Sequence, residues 1–244
     1  MKNVKHPLSF LCFMMLTALF LSASANAQVF KANFALLSVA SESPDKGVLI
    51  DLIKEIAKET GNQVEIKVYP FKRSLQNAIE HKADFHIPFI KSPYKPEDQL
   101  PFDYSTASLF DVNFILYTNK NKPIDTSNLA QYTITTDAAH VDLFDFPIKP
   151  DYQIESSLKK LNAGRIDGYI FADSEADPIL KQLGLKNIRR QLYKVYDVHA
   201  VLPKGEKGKA ADQMITKGMA ILRQNGKWAK IIKPLDNEYV DWQP

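Results

Sequence analysis

Two hydrophobic patterns, one of period two and one of period 3.6, alternate along the chain. Alternating or continuous apolar runs predict strands at 29–37, 63–70 and 83–90. Apolar residues at helical spacing predict one helix that ends near Gly61 and another that begins at Phe71. Strands separated by such helices lie parallel in a sheet, because each helix carries the chain back across it. The pattern therefore predicts an α/β fold.

The second half of the chain repeats this order and also repeats a phrase. "SLQNAIEHKAD" occupies 74–84 and "SLKKLNAGRID" occupies 157–167, and in both a helix beginning near Ser-Leu is followed by an Asp that opens a buried strand. The same periodicities predict strands at 132–136, 151–155, 166–172 and 199–203. They predict helices at 137–144, from residue 154 onward, and at 174–184. We therefore predict two similar α/β lobes.

The C-terminal segment 206–232 has a helical apolar stripe that needs a sheet to cover. We expect it to pack back on the first lobe, so that two strands, near 116–120 and 198–202, connect the lobes as a hinge. The predicted bounds are 28–117 for the first part of lobe 1, 118–200 for lobe 2 and 201–244 for the C-terminal part of lobe 1.

The N-terminus reads as a secretory signal. Lys2 and Lys5 precede an apolar run over 8–21, and small residues then predict cleavage after Ala27. A retained membrane anchor is the alternative, but the run is shorter than the ~20 residues that a spanning helix needs. The one cysteine, Cys12, lies inside this run, so the exported chain would hold no disulfide. The expected location is the periplasm.

Composition and spacing exclude several functions. With 31 basic and 28 acidic residues and no basic block, the chain lacks the charge pattern of a nucleic-acid-binding protein. The histidines show no metal-binding spacing, and no cofactor motif is present, so neither a metal nor a cofactor is expected. We expect a monomer.

The chain resembles the extracellular solute-binding proteins of the polar amino-acid type, which serve bacterial ABC importers. The resemblance is carried by "GVLIDLIKEIAKETGNQVEIKVYPFKRSLQNAIEHKADF", "FDYSTASLFDVNFILYTNK", "SLKKLNAGRIDGYIFAD" and the terminal "AVLPKG" and "MAILRQNGKWAKII" segments. It implies the two-lobed type II periplasmic-binding-protein fold, in which each lobe is a mostly parallel sheet with flanking helices and a two-strand hinge joins them. It also implies capture of a small polar solute without catalysis, for an inner-membrane permease.

One position departs from that family. The family commonly carries a Thr-x-x-Arg whose guanidinium grips the ligand carboxylate, and by register Pro96 stands where the Arg belongs. There is no Arg between Arg73 and Arg165. An ordinary α-amino acid is therefore a doubtful ligand.

Candidate ligand-binding residues follow the carboxyl ends of the predicted strands, where α/β proteins place their sites. Arg73 is a candidate for the missing cation, or else a solvated residue on a surface helix, and the same choice applies to Lys91. The backbone N–H groups of Ala138, Ala139 and His140 are candidates for holding an anion at a helix start.

Three further candidates have structural alternatives. Asp173 matches the family position that takes a ligand amine, although it also suits a helix N-cap. Phe71 and Phe89 are candidates for an aromatic wall or for the core, and His86 is expected to be an interior group.

Two other functions stay open. A loaded clamp of this kind can report to a membrane sensor instead of a permease. A periplasmic dehydratase-like enzyme on the same scaffold would need an acid or base such as Asp173 or His140, but the sequence shows no nucleophile elbow, phosphate loop or paired-carboxylate signature.

Overall fold

The computed structural model describes residues 27–244. Nearly all of the predicted signal sequence, including Cys12, lies outside the described residues. Within 27–244, no helix has both the length and the apolar character needed to cross a membrane.

The described chain alternates strands and helices along most of its length. The strands are β1 Val29–Ala35, β2 Gln63–Tyr69, β3 Phe85–Ile90, β4 Phe102–Tyr104, β5 Phe110–Asn119, β6 Ile134–Asp137, β7 Lys149–Asp151, β8 Gly168–Ala172 and β9 Ile188–Pro203. The helices are α1 Val48–Thr60, α2 Phe71–Ile79, α3 Ile154–Asn162, α4 Asp173–Leu183, α5 Ala210–Gln224 and α6 Lys227–Ile232, with short 3-10 turns at Glu97–Gln99, Leu129–Gln131 and Val141–Leu143.

The strands pair in the order β2-β1-β3-β9-β5-β8-β6-β7, and β4 also pairs with β9. We call β1 to β4 with α1, α2, α5 and α6 the first lobe, and β6 to β8 with α3 and α4 the second lobe. The first lobe contains the parallel set β2-β1-β3, and the second contains the parallel set β7-β6-β8. The α/β fold predicted from the sequence is confirmed.

The long strands β5 and β9 belong to both lobes. Their antiparallel pairing extends from Phe110 opposite Val198 to Asn119 opposite Ile188. β3 bonds to the C-terminal part of β9, and β8 bonds to the C-terminal part of β5 on the edge that faces away from β9. Hydrogen bonds therefore link all the described strands into one continuous sheet, whereas the sequence suggested one sheet for each lobe. The exact lobe bounds stay a prediction.

The repeated phrase has the same structural role in both lobes. After α2, the Asp84 carboxylate accepts a hydrogen bond from Lys31 N at 2.6 Å, and Asp84 N donates to Lys31 O at 2.9 Å. After α3, the Asp167 carboxylate accepts from Thr133 N at 2.9 Å, and Asp167 N donates to Thr133 O at 3.0 Å. Each Asp thus fixes the strand that follows its helix against the start of the neighbouring strand.

Three local predictions were wrong. The stretch 137–144 forms a turn and the short 3-10 segment Val141–Leu143 instead of a helix, because the Asp137 carboxylate accepts from Ala139 N and competes with helical bonding. The strand predicted at 151–155 ends at Asp151, where α3 follows after two residues. The C-terminal helix breaks at Gly226, whose φ of 73° lies in the left-handed region that favours glycine.

The C-terminal helices lie on α1 of the first lobe. Lys227 Nζ pairs with Glu55 at 2.6 Å and with Glu59 at 2.5 Å. Where α5 crosses α1, a Cβ atom placed on Gly218 would meet Ile56 Cγ2 at 2.6 Å. The absence of a side chain at Gly218 therefore lets the two helices approach closely.

We predict that Gly218→Ala destabilises the protein, although the same change inside an open helix gains about 1 kcal/mol from helix propensity. The added methyl group would lie too close to Cγ2 of Ile56, a β-branched side chain with little freedom to move. Overpacking of this kind costs about 1–3 kcal/mol. Urea unfolding measures the change in the free energy of unfolding.

The control is the same substitution in an Ile56→Ala background. Removing the Ile56 side chain relieves the clash, so Gly218→Ala should be neutral or stabilising there. A loss of stability of the same size in both backgrounds would show that α5 does not pack on α1 in this way.

Candidate functional site

An open cleft of about 780 Å³ lies between the lobes, where the parallel strands end. The first lobe lines it with the segment after β1 and with the first residue of α2, Phe71. The second lobe lines it with Asp137 at the end of β6, with the segment between β7 and α3, and with β8. The lining residues are Leu36, Leu37, Ser38, Pro70, Phe71, Asp137, Asp151, Tyr152, Gln153, Ile154, Glu155, Ser156, Tyr169, Phe171 and Ile179.

Three carboxylates of the second lobe line the cleft, and they differ in their partners. Asp151 is held by Lys160 at 2.8 Å, and Glu155 is held by Lys159. Asp137 accepts a hydrogen bond from Ala139 N at 2.8 Å and has no Lys or Arg within salt-bridge distance in the described part of the chain. Burial raises the pKa of Asp137 to about 6, and the nearby charge of Asp151 acts in the same direction, against Lys72 of the first lobe.

Aromatic rings from both lobes meet behind the cleft. His140 of the second lobe stacks on Phe89 at 5.3 Å and meets Phe71 edge-on at 4.7 Å, both of the first lobe. Phe114 of β5 and Phe171 of β8 complete the group, each within 6 Å of His140. These rings surround a small inner cavity of about 40 Å³, and Phe71 and Phe171 line both this cavity and the cleft. The cleft therefore has an apolar end.

The two histidines near these rings are held neutral by burial. Burial lowers the pKa of His140 to about 3, and burial together with the nearby His140 lowers the pKa of His86 to about 3. His86 Nδ1 lies 2.7 Å from Ser74 Oγ of α2. His140 Nδ1 has no hydrogen-bond partner and lies 4.0 Å from an Asp137 oxygen.

Glu175 of α4 bonds the second lobe to the first. Its carboxylate accepts hydrogen bonds from Ser38 Oγ at 2.8 Å, from Val39 N at 3.1 Å and from Ala40 N at 2.8 Å. The side chain is buried, and burial raises the pKa of Glu175 while the hydrogen bonds from Ala40, Ser38 and Val39 lower it. This contact links the lobes at the edge of the inner cavity, which Glu175 also lines.

The predicted site residues separate into two groups. Phe71 lines the cleft, Phe71, Phe89 and His140 are buried around the inner cavity, and Ala138 is buried beside Asp151 of the second lobe. Arg73 is exposed on a different face of α2 from Phe71. Its guanidinium lies 5.2 Å from the Tyr69 ring, in a separate hollow on the first lobe.

Lys91 and Asp173 also lie away from the cleft. Lys91 Nζ is 3.9 Å from Glu97, and it lies 5.7 Å from the Tyr104 ring. Asp173, the first residue of α4, accepts a hydrogen bond from Asn113 of β5 at 3.0 Å and does not line the cleft. The structure therefore does not bring the three charged candidates together.

The backbone N–H groups that we expected to hold an anion are already bonded. Ala138 N donates to Asp151 O at 2.9 Å, Ala139 N donates to the Asp137 carboxylate at 2.8 Å, and His140 N donates to Asp137 O at 2.9 Å. The expectation of free donors was wrong, because the segment folds as an Asp-centred turn and not as a helix start.

Sequence reasoning missed Lys72, Asp137 and Glu175. Asp137 ends a predicted strand, so the rule that selected Ala138 would also have found it. Lys72 and Arg73 are neighbours on α2. The helical periodicity that buries Phe71 and Ser74 does not show whether Lys72 or Arg73 is directed toward the second lobe. Nothing in the local pattern marks Glu175, since its partners lie more than a hundred residues away in the chain.

Two lobes joined by paired long strands, with a cleft at the carboxyl ends of parallel strands, define the class of two-lobed solute-binding folds. The family model of the bacterial extracellular solute-binding proteins, family 3, matches residues 31–234. The chain belongs to this family. No curated protein sequence matches it.

Solved structures share the fold at low sequence identity. The GluR0 ligand-binding core from Nostoc punctiforme in complex with L-glutamate is 15% identical, with a TM-score of 0.68 over 84% of this chain and 98% of that one. A histidine kinase sensor domain with similarity to periplasmic binding proteins is 14% identical, with a TM-score of 0.68 over 85% and 95%. A putative L-cystine ABC transporter from Listeria monocytogenes is 18% identical, with a TM-score of 0.67 over 89% and 100%. The type II periplasmic-binding-protein fold is thus confirmed.

We predict that His140→Phe makes the protein more resistant to acid. A histidine whose pKa falls from 6.5 to about 3 on folding excludes a proton that the unfolded chain binds, so its contribution to stability is complete above pH 6.5 and is lost as the pH falls. Between pH 7 and pH 5 this loss is about 2 kcal/mol. Urea unfolding of both proteins at the two pH values measures it.

The raised pKa of Asp137 has the opposite effect on the free energy of unfolding. A carboxyl group whose pKa is higher in the folded state stabilises that state as the pH falls through about 6. The comparison of wild type with His140→Phe separates the two effects. The control is His81→Asn at an exposed position with φ of 57°, which Asn tolerates. If wild type and His140→Phe lose stability in parallel, then His140 is not buried in neutral form.

We also predict that Glu175→Ala opens the two lobes. The change removes three hydrogen bonds that the first lobe donates to a carboxylate of the second. A hydrogen bond to a charged group contributes about 1.5–3 kcal/mol to stability. Small-angle X-ray scattering should show a larger radius of gyration for the variant. Glu155→Ala is the matched control, because Glu155 lines the cleft but pairs with Lys159 of its own helix. Equal radii for Glu175→Ala and wild type would contradict the bridge.

Proposed function

We propose that the protein captures a small polar solute in the cleft between its lobes, in the periplasm, and delivers it as a monomer to an ABC-type permease in the inner membrane. Membership of the solute-binding family supports capture of a solute. The observation that carries the proposal is the cleft of about 780 Å³ lined by both lobes, because a solute held there contacts the two lobes at once. Differential contact of this kind drives closure.

The groups along the cleft favour binding over catalysis. Its serines, Ser38 and Ser156, have no histidine among the other lining residues to act as a base. His140 lies behind the cleft and is held neutral by burial. The pKa of Asp137 is raised toward neutral pH, whereas the other two lining carboxylates, Asp151 and Glu155, are paired with Lys160 and Lys159.

A thermal-shift screen tests the proposal. The protein is mixed with amino acids, amines, organic acids and small sugars, and a solute that binds only the folded state raises the melting temperature. Isothermal titration then measures the affinity, and a micromolar Kd corresponds to about 8 kcal/mol. We expect Phe71→Ala to weaken the binding of a true cleft ligand. Arg73 lies in a separate hollow outside the cleft, so Arg73→Ala should leave the affinity unchanged.

Two outcomes would contradict the proposal. Conversion of a bound compound, detected by mass spectrometry, would replace capture with catalysis. Normal uptake of the bound solute by cells that lack the protein, together with loss of a signalling response, would replace delivery with sensing.

A further inference from the structure

The charge of the cleft lining indicates what kind of solute it holds, provided that the proposed capture function is correct. Asp137, Asp151 and Glu155 line the cleft, and none of the described lining residues is Lys or Arg. The two cations that the sequence offered as candidates, Arg73 and Lys91, lie outside the cleft lining. Lys72 of the first lobe is the cation whose charge acts on Asp137, but it lies outside salt-bridge distance of that carboxylate and does not line the cleft. A ligand carboxylate would therefore meet carboxylates and no lining cation, at an unfavourable electrostatic cost.

The three carboxylates leave one negative charge for a ligand. Lys160 neutralises Asp151 and Lys159 neutralises Glu155, both within α3 and the segment before it. Asp137 lacks such a partner within salt-bridge distance in residues 27–244 and keeps an exposed fraction of 17% for its side chain. A single cation at Asp137 would compensate the cost of keeping this carboxylate charged in a mostly buried place.

A second polar group without a partner lies beside Asp137. His140 is 2% exposed, and its Nδ1 atom has no hydrogen-bond partner although it lies 4.0 Å from the Asp137 carboxylate. A buried polar atom without a hydrogen-bond partner is costly, and such atoms are rare in folded proteins. An ammonium group beside Asp137 has donors for both the carboxylate oxygen and the neutral imidazole nitrogen.

The rest of the wall is apolar and aromatic. Phe71, Tyr152, Tyr169 and Phe171 line the cleft, and aromatic faces attract cations. The inner cavity of about 40 Å³ opens behind Phe71 and Phe171 and has room for a small apolar group only.

We propose that the cleft selects a small monocationic organic amine that has an apolar or aromatic body and no carboxylate. The ammonium group binds at the Asp137 carboxylate, which lies 4.0 Å from His140 Nδ1, and the apolar body lies against Phe71 and Phe171. One uncompensated carboxylate favours a monoamine over a diamine.

Matched pairs of compounds test this class. The full chain is titrated calorimetrically with phenethylamine and phenylalanine, with isoamylamine and leucine, and with putrescine as a diamine. We expect at least one monoamine to bind at least about tenfold more tightly than its amino acid and than putrescine, since one missing charge partner in a buried site changes affinity by that order. Asp137→Asn should weaken the monoamine about tenfold or more.

Asp142→Asn is the matched control, because Asp142 is an exposed aspartate five residues further along. Tighter binding of the amino acids, or monoamine binding that Asp137→Asn does not change, would overturn the proposed ligand class. If instead a neutral or anionic solute binds and Phe71→Ala weakens it, the ligand class is wrong while the capture function stands. If no solute of any class binds, both proposals fail.

Discussion

The antiparallel pairing of β5 with β9 is the constraint on which the rest of the structure depends. Together these two strands join the parallel sets of the lobes, since β9 pairs with β3 of the first lobe, β5 pairs with β8 of the second lobe, and β5 and β9 pair with each other. The pairing shifts register between Phe114 and Ile115, so the ladder is interrupted in its middle. A bulge of this kind increases the local twist and bends a strand pair. The cleft exists because the two parallel sets, held by one ladder, direct their carboxyl ends toward each other.

Two contacts hold the lobes together beside the cleft. Rings from both lobes pack around His140, and Glu175 accepts hydrogen bonds from the loop after β1. Both contacts include groups whose burial is costly: a neutral histidine with a free nitrogen atom, and a carboxylate whose pKa is raised. The cost of burying these groups offsets part of the stabilisation that the two contacts give to the joined lobes.

The sequence predicted the architecture well and the site less well, for physical reasons. Hydrophobic periodicity depends on burial within each lobe, so the parallel strands and the Asp84 and Asp167 anchors were readable from the repeated phrase. Most of β9 was missed because charged residues such as Arg189 and Lys194 interrupt its apolar pattern, and buried Arg190 is paired with Asp177 across the second lobe. The site depends on contacts between distant segments, and Arg73, two residues after Phe71 in α2, lies about 200° around the helix from the face that Phe71 occupies.

The most direct test of the account is the distance between the lobes, measured by pulsed electron paramagnetic resonance. Spin-labelled cysteines would replace Gln76 on α2 of the first lobe and Gln182 on α4 of the second lobe, both exposed residues outside the cleft lining, with Cys12 changed to serine. The account predicts a shorter and an open distance in exchange, and a shift to the shorter one when a cleft ligand is added. A single distance that does not change while a ligand binds would contradict it.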